Sequence, residues 1–127
     1  MNNMRAIIEQ QNITMREHFL AENIRAWADL FAADASFINS ARPEPVLGRE
    51  AIFKMAEQWP ALENVIEWQA IDEFRLVIGW RERPLLDEGK TGGWYGGIAT
   101  LVFNADGLIQ EYEGVFNVLA VQAAYRK

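Results

Sequence analysis

His18 is the only histidine in the sequence, and histidine is the side chain most readily used as a general acid or base near neutral pH. It stands in a stretch with helical periodicity, so a helix-surface position competes with the catalytic reading. Ser36 and Ser40 are candidate nucleophiles, but no motif joins either to His18 and an acid. The acidic pairs Asp72-Glu73, Asp87-Glu88 and Glu111-x-Glu113 have turn or exposed-face explanations, so no metal site is expected from them. The chain has no cysteine, which excludes disulfides and thiolate zinc or iron–sulfur sites. Glu82 is a different case. It shares a strand face with Trp80 and could reach the rim of an interior as a carboxylate whose pKa burial would raise. The competing reading makes it an exposed partner of Arg81 or Arg83. In Thr91-Gly92-Gly93-Trp94-Tyr95-Gly96-Gly97 the glycines lack phosphate-loop spacing and lead into a strand, which suits bulging and sheet curvature better than anion binding.

The elements that would carry these residues fall into two textures. Met4, Ile8, Met15 and Phe19 recur near helical spacing with Gln11 in the missing place, and Ile24, Trp27, Ala28 and Phe31 form a second stripe that Asn23 can cap. This second helix is expected to stop near Ala33, because Ala35 to Asn39 reads as a short strand. The stretch 40–46, with Pro43 and Pro45, is a loop crossing to a third helix over Arg49 to Trp59. Gly48 serves there as N-cap, Leu47 is stapled against Ile52, and Pro60 marks the stop. After Pro60 the period becomes two: Ile66, Trp68 and Ala70 alternate with Glu67, Gln69 and Ile71. Further strands are expected over Phe74 to Arg83, Thr91 to Phe103 and Leu108 to Val118, with an acidic loop at Leu85 to Lys90. Asn104-Ala105-Asp106-Gly107 is a hairpin turn, since Asp-Gly suits positive φ. Trp68, Phe74, Trp80 and Phe103 are expected to be largely buried. Helices gathered before a meandering antiparallel sheet indicate an α+β fold with helices on one face.

Length and composition set the outer bounds. At 127 residues with 50% hydrophobic content the chain has the size and core of one domain. Twelve basic and eighteen acidic residues give a net charge of −6, which disfavours nucleic acid and anionic membrane as partners. Arg75, Arg81 and Arg83 lie close together, but Glu73 and Glu82 are interleaved, as on a salt-bridged strand surface. The start lacks the apolar run of a signal peptide and no later stretch is long enough to span a bilayer, so a soluble, cytoplasmic protein is expected.

The segments Trp27-Ala-Asp-Leu-Phe31-Ala-Ala-Asp34-Ala-Ser-Phe37, Leu47-Gly48-Arg49-Glu50-Ala51-Ile52 and Asp106-Gly107-Leu108-Ile109-Gln110-Glu111-Tyr112 resemble the nuclear-transport-factor-2-like superfamily. That group includes SnoaL-like polyketide cyclases and ketosteroid isomerases. The resemblance covers nearly the whole chain. It implies a single SnoaL-like (NTF2-like) domain over 1–127, a cone in which three N-terminal helices pack on a strongly curved antiparallel sheet enclosing a pocket. It also implies a homodimer formed through the outer sheet face, including Thr100, Val102 and Val115. The isomerases of this group use a carboxylate base and an oxyanion hole built from a tyrosine and a protonated aspartic acid. At the matching positions this chain has Asn39, Met15 and Ala99, none of which can perform those roles. The aspartate of the cyclase branch falls on Gly114, and the Asp-Arg-Asp set of limonene epoxide hydrolases has no clear counterpart.

Within such a cone, strand parity turns Met15, Phe19, Phe31, Phe37, Asn39, Phe74, Leu76, Ile78, Trp80, Ala99, Leu101, Tyr112 and Phe116 inward, with Trp59 near the mouth. An aromatic chamber with few polar groups suits a small apolar or aromatic molecule oriented by one or two hydrogen bonds; the alternative is that the rings simply fill the core. Tyr112, as phenol donor, and Asn39, as amide, are the polar candidates there, with Glu82 and His18 in support. No cofactor is implied. Two functions follow: a lyase-, isomerase- or hydrolase-type enzyme without the ketosteroid isomerase set, or a non-catalytic ligand-binding or dimeric interaction module.

Overall fold

The computed structural model describes residues 3–42 and 44–125; Pro43, expected in the loop before the third helix, lies outside the described residues. Helix α1 (Met4–Leu20) buries Ile8, Asn12 and Met15 on one face, so the apolar stripe contains a buried amide. Helix α2 (Ile24–Ala28) is capped by Asn23, whose side chain accepts from the Ala26 amide. The expected helix to Ala33 is shorter because strand β1 (Phe31–Asn39) begins earlier: the Leu30 carbonyl already accepts from the Ile109 amide of the last strand. A two-residue strand, β2 (Val46–Leu47), precedes helix α3 (Arg49–Ala56). Gly48 takes φ 93° at the entry to α3, a left-handed value that favours glycine. Ile52 and Ala56 are fully buried. Leu47, expected as a staple against Ile52, is exposed instead, since its neighbour Val46 takes the inward place. Arg49 donates from Nε to the Phe31 carbonyl, and Arg25 bridges Asp29 and Glu50. The Gly-Arg-Glu segment thus ties α3 to β1 and α2.

Strands β3 (Leu62–Asp72), β4 (Arg75–Pro84), β5 (Tyr95–Phe103) and β6 (Ile109–Phe116) complete one six-stranded sheet in the order β2-β1-β6-β5-β4-β3. The expected antiparallel pairing holds except at β1–β6, which is parallel. The β5–β6 turn is the one expected, with Gly107 at φ +81° and the Asn104 side chain accepting from the Asp106 and Leu108 amides.

Two aromatic residues expected inside lie outside. Between Ile66 and Trp68 the β3–β4 register shifts, Ile66 facing Trp80 and Trp68 facing Gly79. The extra residue, Glu67, is a β-bulge that reverses the side-chain alternation. Ile66 therefore points inward, while Trp68 is 49% exposed and lies over Gly79, where a Cβ would come within 2.2 Å of its indole. Phe74 is 44% exposed because it occupies the β3–β4 turn rather than the strand. Trp80 and Phe103 are buried. The chain beyond β6 forms an unanticipated helix, α4 (Val118–Ala124), capped by Asn117. No helix among the described residues is long and apolar enough to cross a membrane.

Candidate functional site: an aromatic cavity with a half-buried carboxyl

Cross-strand register arranges the inner face of the sheet in rows. Asn64, Glu82 and Tyr95 are direct neighbours on β3, β4 and β5; Ile66, Trp80, Gly97 and Phe116 form the next row, followed by Gln69, Ile78, Ala99, Gly114 and Asn39. The fourth row, Ile71, Leu76, Leu101, Tyr112 and Phe37, is largely sealed. Helix α1 covers one side of this face, and α4 adds Val118, Val121, Gln122 and Tyr125 to the wall. Between them lies a cavity of about 430 Å³.

Aromatic rings make most of its wall. Phe37 stacks on Tyr112 at 4.4 Å between centroids and 4° between planes. Trp27 meets Phe37 and Trp59 edge-on, and Phe19 meets Trp59 likewise. Trp80 sits edge-on to Tyr95 and Phe116, and it can do so because Gly97 lies opposite. A Cβ there would stand 2.5 Å from both the Trp80 ring and the Val115 carbonyl, so the glycine-rich segment makes room for a ring.

The polar groups concentrate in the first row. Glu82 accepts from Asn64 Nδ2 at 2.9 Å and from the Tyr95 hydroxyl at 3.2 Å. Arg16 donates to the Asn64 side-chain oxygen at 3.4 Å and to its backbone carbonyl at 2.6 Å, which fixes the amide with its nitrogen toward Glu82. Burial pushes the Glu82 carboxyl above the ordinary carboxylate value, outweighing the two hydrogen bonds that favour the anion. The Tyr95 and Tyr112 phenols are pushed up as well, first by burial and then by the Glu82 charge. Elsewhere on the wall, Trp80 Nε1 and Asn12 Oδ1 are buried without a described partner.

Of the residues assigned inward from sequence, Met15, Phe19, Phe37, Asn39, Trp59, Ile78, Trp80, Tyr112 and Phe116 line the cavity, as does Glu82. Phe31, Leu76, Ala99 and Leu101 are fully buried but do not line it, because they pack into the sealed end. Phe74 is excluded by its place in the turn. His18 is not on the wall; it stands in the last turn of α1. Asn39 uses its side-chain oxygen to accept from the Ala41 amide, an Asx turn that occupies one of that oxygen's two lone pairs. Among the described residues Glu82 has no arginine partner: Arg81 pairs with Glu67 and Arg83 with Glu63 on the other face. Asn12, Arg16, Trp27, Asn64, Tyr95 and Tyr125 also line the cavity and escaped the sequence reading. Trp27 and Asn12 could have been found from their place in helical stripes, and Tyr125 from the Val118, Val121, Tyr125 spacing behind Asn117.

No family model and no curated protein matches this sequence. Solved structures do. A hypothetical protein with a ketosteroid isomerase-like fold from Catenulispora acidiphila, in complex with trimethylamine, is 15% identical with a TM-score of 0.78, covering 90% of each chain. An LEH-like epoxide hydrolase of Mycobacterium tuberculosis is 11% identical with a TM-score of 0.77, covering 92% of this chain and 87% of its own. A computationally designed 17-OHP binder is 19% identical with a TM-score of 0.76, covering 90% and 95%. The chain has the NTF2-like fold.

Proposed function

We propose that the chain binds a small, mainly apolar or aromatic molecule in this cavity, with its polar part directed to the Asn64–Glu82–Tyr95 row. The supporting observation is a volume of about 430 Å³, within the usual range for ligand sites, walled by rings and carrying its hydrogen-bonding groups at one end. The same fold serves a designed 17-OHP binder and a protein in complex with trimethylamine. An enzyme of lyase, isomerase or hydrolase kind is the second reading, favoured by the half-buried Glu82 carboxyl and the Tyr112 phenol facing one cavity. Ketosteroid isomerisation is not proposed, because Asn39 has no carboxylate and its oxygen is engaged in a turn.

The test is a titration of aromatic dyes and steroid analogues, followed by tryptophan fluorescence, beside an isomerase assay. Saturable binding is expected, weakened by about 1 kcal/mol in Tyr112→Phe for ligands bonded to its hydroxyl. Absence of binding by every probe defeats the ligand reading; isomerase turnover defeats the exclusion. A homodimer through the outer sheet face is part of the proposal: Ile98 and Val115 are cross-strand partners there, 47% and 56% exposed, beside Thr100 and Val102. Light scattering should give twice the chain mass at tens of micromolar, and a monomer would refute it.

A further inference from the structure

We propose that the molecule this cavity takes is an organic ammonium ion, an aromatic or alkyl amine whose positive nitrogen lies against Glu82 and whose apolar part lies among the rings. The inference rests on the reading of the cavity as a ligand site and names the class of ligand. Every ion pair among the described residues involves side chains well exposed to solvent, and Glu82 is in none of them. Both of its sequence neighbours are arginines, yet strand alternation turns them to the opposite face, where each has its own glutamate. Its partners are the neutral Asn64 and Tyr95. A half-buried carboxyl on an apolar cavity and outside any ion pair favours a counter-charge, and among the described residues the one cation on the wall, Arg16, is committed to Asn64.

The hydrogen bonding suits an anion. One donor reaches each carboxyl oxygen, whereas a neutral acid would need the Tyr95 hydroxyl to turn and accept its proton. Arg16 does not act as the missing cation, because its guanidinium is directed at the two oxygens of Asn64 and so orients the amide that holds Glu82. Trp80, two residues back on the same strand, and Tyr95 and Phe116 around it place ring surface beside the carboxyl. Rings attract a desolvated cation that a neutral ligand of the same shape does not match. The net charge of −6 draws cations toward the molecule.

Burial also makes a proton compete with the ammonium ion for Glu82. The groups that share the cavity wall with it are Arg16 from α1, Asn64 from β3, Tyr95 from β5, Tyr112 from β6 and Tyr125 just beyond α4. The three phenols are pushed upward. Glu82 is the one carboxyl on this wall among the described residues, and affinity for a permanent cation must rise with pH as it ionises.

Phenyltrimethylammonium and its neutral isostere tert-butylbenzene separate the possibilities when titrated into the chain by calorimetry. At about pH 8, above the ordinary carboxylate range, the cation should bind about tenfold or more tightly than the isostere. That preference should fall to near unity in Glu82→Gln, with isostere binding retained. In the wild type, cation affinity should rise by up to about tenfold per pH unit and then level off, while isostere affinity stays flat. If Glu82→Gln fails to fold, this wild-type profile decides alone. Equal binding of the two probes, a preference that survives Glu82→Gln, or a flat pH profile overturns the ammonium assignment and leaves the cavity a site for neutral molecules. Binding of neither probe removes the ligand reading itself.

Discussion

Arg81, Glu82 and Arg83 are consecutive on β4, yet the two faces of the β3–β4 pair treat their charges in opposite ways. Outside, Arg81 and Arg83 pair with Glu67 and Glu63 and lie over the Trp94 ring at 4.8 and 4.6 Å. Water screens these contacts, so each is worth little and can be exchanged. Inside, Glu82 is held by neutral donors beside Trp80, where a charge is expensive and its surroundings decide its state. Strand alternation alone separates the two environments. A row of mixed charge in a sequence can therefore hide one group with a different task.

The comparison can be broken most forcefully at its two tryptophans. Trp80→Ala should cost about 3–5 kcal/mol in chemical denaturation because its ring is buried among Tyr95 and Phe116; Trp94→Ala, losing an exposed ring, should cost under about 1 kcal/mol. Similar losses would mean that the outer stack is structural too. Gly97→Ala should cost about 1–3 kcal/mol by overpacking and shift the Trp80 emission, since the new Cβ meets the ring at 2.5 Å. An unchanged spectrum and stability would contradict that contact.

Glu82→Gln sharpens the comparison through pH. Burial holds the carboxyl above its ordinary 4.5 in the folded chain, so folded protein binds this proton more tightly than unfolded protein. The resulting stabilisation is complete below the ordinary value and lost as pH rises through the raised one. The variant should accordingly gain on the wild type toward neutral pH by on the order of 1 kcal/mol, with the Tyr95 hydroxyl reversed to accept from the new amide. Urea midpoints at a series of pH values measure this; parallel curves would contradict it. The smallest effect is expected outside, where Glu63→Gln should change stability by under about 1 kcal/mol at any ionic strength.

The sequence made the helical stripes, the Asp106-Gly107 turn and the change to period two legible because each depends on neighbours within a few residues. The bulge at Glu67 was not legible: it depends on what β4 presents opposite, and without it Trp68 shares a face with Ile66. Asn64 and Tyr95 were hidden for the same reason, since only cross-strand register brings them to Glu82. The parity from Trp80 to Glu82 was readable, while the destination of the flanking arginines depended on Glu63 and Glu67 from another strand. Helix α4 carried a usable signal in Asn117 and the spacing after it, overridden by the momentum of the preceding strands.

The parallel β1–β6 pair has a consequence for how the molecule is made. Beyond the two-residue β2, the strand beside β1 among the described residues is β6, and contacts between them span up to 78 positions, from Phe31 to Ile109. The hairpins β3–β4, β4–β5 and β5–β6 close over short loops. Strand β1 must wait for the last strand before it has a place in the sheet, and the Phe37–Tyr112 stack waits with it. A nascent chain still lacking β6 holds its helices and first hairpins but no ring-walled chamber, and closing so long a loop makes the docking of β1 a slow, late step in folding.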